Sequence, residues 1–154
     1  SSLLSWPDIV WNPIRSDKIF IDFSYKLLSI VIFTQLYIIF MKPQITYDDF
    51  DKVDIRVGTV ISVKKNEKAR KPSLVVEVDF GEEIGVKQSS AQITHYYNEE
   101  NLKGKQVIGV CNFPEKNIAG VVSQVLILGS IDKEGKVILV HPSQKSENGL
   151  PIAW

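Results

Sequence analysis

The densest run of like charge in this 154-residue chain is KKNEKARKP, residues 64–72, where Lys64, Lys65, Lys68, Arg70 and Lys71 surround one acid, Glu67. Ammonium and guanidinium groups so crowded suit a polyanion, because neutralising phosphates releases condensed counterions. The plainer alternative is a solvated hairpin tip. A second string, GVKQSSAQIT (residues 85–94), brings Lys87, Gln88, Ser89, Ser90 and Gln92 together. Short amide and hydroxyl groups of this kind contact phosphate, ribose or base edges, or else satisfy backbone groups at a strand end. A third string, CNFPEKNIAGVVSQ (residues 111–124), ends an apolar run at Phe113 and Pro114. A phenylalanine there either stacks on a base, which is worth about 1–3 kcal/mol in single-strand binders, or completes a core.

Catalysis finds little support. Ser89 or Ser90 with His95 would need a carboxylate to orient the imidazole and a sharp nucleophile turn, and no GxSxG is present. His95, His141 and Cys111 lack the close spacing of a metal site, and GEEIG is not a phosphate-binding GxGxxG loop. The chain therefore reads as a binding module that is not an enzyme and needs no metal or cofactor. Its 18 basic and 18 acidic residues cancel, so attraction to a polyanion has to come from a local patch. The single cysteine, Cys111, excludes an intrachain disulfide and fits a reducing, cytoplasmic setting.

These groups must be held by strands. In DIRVGTVISV, Ile55, Val57, Thr59, Ile61 and Val63 alternate with Arg56, Ser62 and Lys64, which predicts a half-buried strand with the first set inward. After the charged loop, SLVVEVDF repeats the pattern, with Leu74, Val76, Val78 and Phe80 inward and Glu77 and Asp79 outward. EIGVKQSS is a short third strand, and QITHYYNEENLKG is a helical or irregular connector closed by Gly104. QVIGVCNF is a buried strand, and VSQVLILGS and KVILVHP pair around the turn DKEG, with Asp132 and Gly135 at its ends. Five or six short strands with one connector between the third and fourth describe an all-β, OB-like five-stranded barrel with short flanking helical elements.

Residues 1–40 differ in kind. They hold Trp6, Trp11 and the uncharged run LLSIVIFTQLYIIF, residues 27–40, which falls short of the roughly 20 residues that span a bilayer. Bulky Tyr37, Ile38, Ile39 and Phe40 stand where a secretory cleavage site would need small residues. The only methionine, Met41, lies just before the strand pattern. Residues 1–40 are expected to be a translated leader or an appended sequence outside the functional domain, with a membrane anchor or a packing helix as the alternatives. The domain is expected over residues 41–154.

DIRVGTV, KQSSAQIT, GKQVIGVCNFP, IAG followed by Ser123, and VLILG occur in the order found in tRNA-binding domains, and the chain resembles the CsaA type of that family over nearly all of residues 48–149. The resemblance implies an OB fold with a C-terminal β extension, a homodimer, and binding of tRNA or, as an alternative role, of unfolded or export-bound polypeptide in an apolar groove. It also implies kinship with the domains appended to some methionyl- and phenylalanyl-tRNA synthetases. Carried over by position, it makes Arg56, Lys87, Gln88, Ser89, Ser90, Asn112, Lys116 and Ser123 the candidate RNA face, beside Lys64, Lys65, Arg70 and Lys71 of the charged loop. One departure counts against tight binding: the loop after Pro114 is often doubly basic in relatives and here reads Glu115-Lys116-Asn117. Ile118-Ala119-Gly120 also departs from the basic-Met-x-Gly form of the synthetase-linked domains, which favours the stand-alone type.

Overall fold

In the computed structural model, residues 42–152 are described. Their elements are α1 (Tyr47–Asp51), β1 (Ile55–Lys65), β2 (Leu74–Asp79), α2 (Gly81–Ile84), β3 (Val86–Ala91), α3 (Glu99–Leu102), β4 (Gln106–Val110), β5 (Lys116–Ile118), β6 (Val121–Ser123), β7 (Leu126–Ile127), β8 (Gly129–Ile131) and β9 (Val137–Leu139). The barrel lies within the unit Asp51–Trp154, and residues 42–50 belong to the other unit, Ser1–Phe50. In the latter, Thr46 caps α1: the Asp49 N–H donates to Thr46 Oγ1, and the Thr46 N–H and hydroxyl donate to the Asp49 carboxylate. The expected leader, residues 1–40, lies outside the described residues.

Five antiparallel strands in the order β3-β2-β1-β4-β7 form the main sheet, an OB-type barrel. β2 behaves as its alternation demands, burying Leu74, Val76, Val78 and then Phe80. β1 does not. Its register slips between Val60 and Ser62, so Ile61 is an extra residue without a cross-strand partner. The bulge shifts the phase of the alternation partway along the strand: Val57 and Val63 are buried as expected, but Val60 takes the core place expected of its neighbours Thr59 and Ile61. Gly58, Val60 and Val63 are buried, and Ile61, expected inward, is 40% exposed. Val57 and its cross-strand partner Ile108 are buried outside the main cluster.

The inward position of Gly58 explains why a glycine interrupts an otherwise β-branched strand. A Cβ there would lie 2.5 Å from Val78 Cγ1 and 2.8 Å from the Phe80 ring, and one on Gly109 of β4 would lie 3.0 Å from Phe80 Cζ. Phe80, completely buried, thus occupies space that two strands leave open. Val60, Val63, Val76, Val78, Val107 and Val125 pack with it, and Cys111 lies partly buried against the same cluster.

Where β2 stops pairing with β1, the C-terminal segment takes its place. The Gly149 N–H donates to the Val57 carbonyl, the Val57 N–H to Leu150, and the Ile152 N–H to Ile55. Side chains add to this extension: Thr59 donates to Asn148 Oδ1, and Gln106 exchanges two hydrogen bonds with the Ser146 backbone. At the other end, adjacent tyrosines hold the β8–β9 hairpin. The Tyr97 hydroxyl accepts the Leu139 N–H at 2.9 Å, and Tyr96 donates to Asp132 at 2.8 Å. Asp132 and Gly135 close the DKEG turn as expected.

Replacing Gly58 with alanine should overpack the Phe80 site. We expect a loss of about 1–3 kcal/mol, read as a lower urea midpoint at unchanged denaturant slope. An unchanged midpoint would show that the ring moves aside freely.

Candidate nucleic-acid interface

Lys64 and Lys65 end β1, and both are exposed, as are Lys68, Arg70 and Lys71 in the loop that follows. Among the described residues none of these five cations forms an ion pair, so the charge of the loop is available to a ligand. The loop is closed at its base by the Asn66 N–H donating to the Ser73 carbonyl, and Asn66 Oδ1 accepts the Lys68 N–H.

A second element reaches this loop. β5 and β6 form a hairpin whose two-residue turn, Ala119-Gly120, has φ of 50° and 80°. Positive φ at both positions is the primed geometry that matches strand twist, and Asn117 Oδ1 accepts the Gly120 N–H. A Cβ on Gly120 would lie 3.3 Å from Lys68 Cδ. The Lys68 side chain therefore lies close to the hairpin tip, and Lys116 stands at the base of the same hairpin, paired with Ser123.

The other predicted ligands have different surroundings. Gln88 joins the sheet edges: its N–H donates to Gln124 Oε1, its carbonyl accepts the Gln124 N–H, and its Nε2 donates to the Val122 carbonyl. Ser123 is buried, with its hydroxyl accepting the Ser90 N–H. Ser89 is 4% exposed. These groups form the seam that brings β3 to the β6 end of the barrel, so Ser89 and Ser123 present almost no surface here. Asn112 is a clamp as well, accepting the Asp54 N–H and donating to the Lys52 carbonyl. Arg56 is paired with Asp54 and donates to the Gly149 carbonyl; its hydrogen bond to Asp54 holds the guanidinium pKa above its ordinary value. Burial pushes the Cys111 thiol up to about 11, against the opposing pull of Arg56 and Lys87, which leaves it a poor nucleophile. Phe113 is 37% exposed at the strand end.

Sequence reasoning missed Gln124 and Glu115. Gln124 Nε2 donates to Glu115 Oε1 at 2.7 Å while its Oε1 serves Gln88, so the acid that departs from the basic family pattern anchors its loop to the barrel seam. Nothing in the spacing of these residues signals that link. His95 stands edge-on to Tyr96 at 4.6 Å. Among the described residues no group of three or more His, Cys, Asp or Glu is arranged to hold a metal, and no helix is long and apolar enough to cross a membrane.

Residues 55–151 match the family described as "Putative tRNA binding domain". The chain belongs to this tRNA-binding domain family. The crystal structure of chaperone CsaA from Bacillus anthracis is similar at 44% identity and a TM-score of 0.68, over 72% of this chain and 100% of that one. A CsaA chaperone protein from Picrophilus torridus is similar at 46% identity and a TM-score of 0.67, over 71% of this chain and all of that one. The resemblance to the CsaA type seen in the sequence motifs is thus borne out. Methionine–tRNA ligase of Chlorobium limicola is 40% identical over 111 residues, and the match spans 72% of this chain but only 15% of that enzyme.

Acids oppose the patch on one side. Lys64 and Lys65 share a groove of about 490 Å³ with Glu99 and Glu100, the first two residues of α3. Changing both glutamates to glutamine should tighten RNA binding about two- to fivefold at roughly 0.1 M salt, the gain expected for removing two like charges several ångströms from a phosphate in water. Filter binding checks this, and unchanged affinity would place the RNA away from the groove.

Proposed function

We propose that the domain binds tRNA, as a homodimer in the cytosol, through a composite face made by the β1–β2 loop and the β5–β6 hairpin. The observation that carries this reading is the approach of the Lys68 side chain to the hairpin turn at Gly120. It brings Lys68, from a loop whose five cations form no ion pair among the described residues, beside the hairpin that bears Lys116, in a protein whose total charge is zero. Membership of the tRNA-binding family supports the ligand class. Lys87, half-buried on β3, and the exposed part of Phe113 extend the face. Gln88, Ser89, Ser90, Asn112 and Ser123 support it from behind by holding its strands in register. Exposed Ile138 and Val140, at 47% and 45%, are the apolar surface offered for dimer contact.

One observation favours a second role. A groove of about 1100 Å³ is lined by Ile61, Leu102, Val107, Leu139 and Pro142 together with polar side chains of the C-terminal segment. Mixed walls of that size suit an extended polypeptide, and the two similar structures named above are called chaperones.

Salt separates the two ligands. Binding of bulk tRNA should weaken with salt, its logarithmic slope rising by about 0.7–0.9 for each phosphate neutralised, whereas capture of an unfolded model protein in the groove should hardly change. Replacing Lys64, Lys65 and Lys71 with alanine should flatten the RNA slope by about 2–3 units, with thermal stability retained. An unaltered slope in that variant would move the RNA to another face and bring the polypeptide reading forward.

A further inference from the structure

Two polar atoms at the foot of the basic loop are buried without a hydrogen-bond partner among the described residues: Asn66 Nδ2 and Ser73 Oγ. Ser73 as a residue is only 5% exposed. Such orphans are rare in native proteins and call for an explanation. Their position is informative. Asn66 and Ser73 are the two ends of the loop, joined by the Asn66 N–H to Ser73 carbonyl bond, and the residues between them include Lys68, Arg70 and Lys71. Their chemistry is informative too. Asn66 Oδ1 is already occupied by the Lys68 N–H, so the unused atom is the amide nitrogen, which only donates; a serine hydroxyl is able to donate as well. Two unused donors at the ends of a loop that carries three exposed cations suit an anionic acceptor.

We infer that the base of the β1–β2 loop is a phosphate site, in which Asn66 Nδ2 and Ser73 Oγ donate to a phosphodiester oxygen of bound RNA while the loop cations supply the charge. The inference rests on the RNA-binding reading above and deepens it by naming the group that the loop receives. Both donors are out of reach of solvent in the closed loop, so the phosphate enters with the loop lifted. The closed state favours that movement, because it leaves two donors unsatisfied and few backbone bonds span the loop: Asn66 N–H to Ser73, Ala69 N–H to Asn66 and the side-chain bond to Lys68. From outside the loop, Gly120 of the β5–β6 turn lies close to the Lys68 side chain.

A structural serine and a ligand serine respond differently to removal of the hydroxyl. In Ser73→Ala the orphan disappears, so the thermal midpoint should hold or rise, while RNA affinity should fall about tenfold, the effect of losing one hydrogen bond to a charged group. The salt slope should not change, because no charge is lost. A second measurement follows the Asn66 side-chain amide by NMR. Its resonances should move on adding an RNA hairpin and stay in place with inorganic phosphate at the same phosphate concentration. Wild-type affinity in Ser73→Ala, or an unmoved amide at saturating RNA, would overturn the site while leaving the RNA-binding reading intact. Movement with free phosphate as well would make it a general oxyanion pocket and overturn the assignment to RNA. If the wild-type protein binds no RNA in the same assay, the broader reading fails, and this inference fails with it.

Discussion

The steric fit of Phe80 against Gly58 and Gly109 is the constraint on which the rest of the barrel depends. A ring that is completely buried between two strands leaves no room for a side chain on either of them. β1 must turn Gly58 and Val60 inward to meet it, and the bulge at Ile61 then brings Val63 back to the same core. A bulge also bends and twists its strand. Here it lets the second half of β1 follow β2 out to the charged loop while the first half stays paired with β4 and the C-terminal segment. The positions of Lys64 and Lys65 thus follow from packing around a side chain that has no part in binding.

Much of this was legible in the sequence, and the failures have identifiable causes. The succession of strands along the chain, the connector ending at Gly104, the DKEG turn and the inward face of β2 all rest on local signals, namely alternation and turn chemistry. The inward face of β1 was read correctly at Val57 and Val63 and misread at Thr59 and Ile61, because alternation assumes an unbroken ladder. The glycine at position 58 was the one hint that close packing, not β propensity, governs that strand. The basic loop was also legible, since five cations so near one another have few places to go other than a surface. The polar seam was harder. Gln88, Ser90, Ser123 and Gln124 have the chemistry of ligands and of hydrogen-bonded closure alike, and only the meeting of β3 with the β6 end, more than thirty residues apart in sequence, shows that their polar groups already have partners.

The seam and the basic loop divide the labour of the site between fixed and variable parts. Arg56 with Asp54, Asn112 with Lys52 and Asp54, and Gln124 with Glu115 are pairings that hold backbone in place. Each uses up polar capacity that would otherwise face a ligand. Among the described residues the loop cations form no such ion pairs. In a protein of zero net charge this separation matters, because a field of one sign exists only where acids are kept out or engaged elsewhere. Glu115, turned to Gln124, is engaged in that way, whereas Glu99 and Glu100 remain beside Lys64 and Lys65 and limit the strength of the patch.

The central claim is that the β1–β2 loop and the β5–β6 hairpin act as one RNA-binding surface, and amide hydrogen exchange with and without saturating tRNA tests it most directly. The account predicts slowed exchange in two segments together, residues 64–73 and residues 116–122, with little change along residues 141–148, which line the large groove. Slowing confined to residues 141–148, or to the loop without the hairpin, would contradict it.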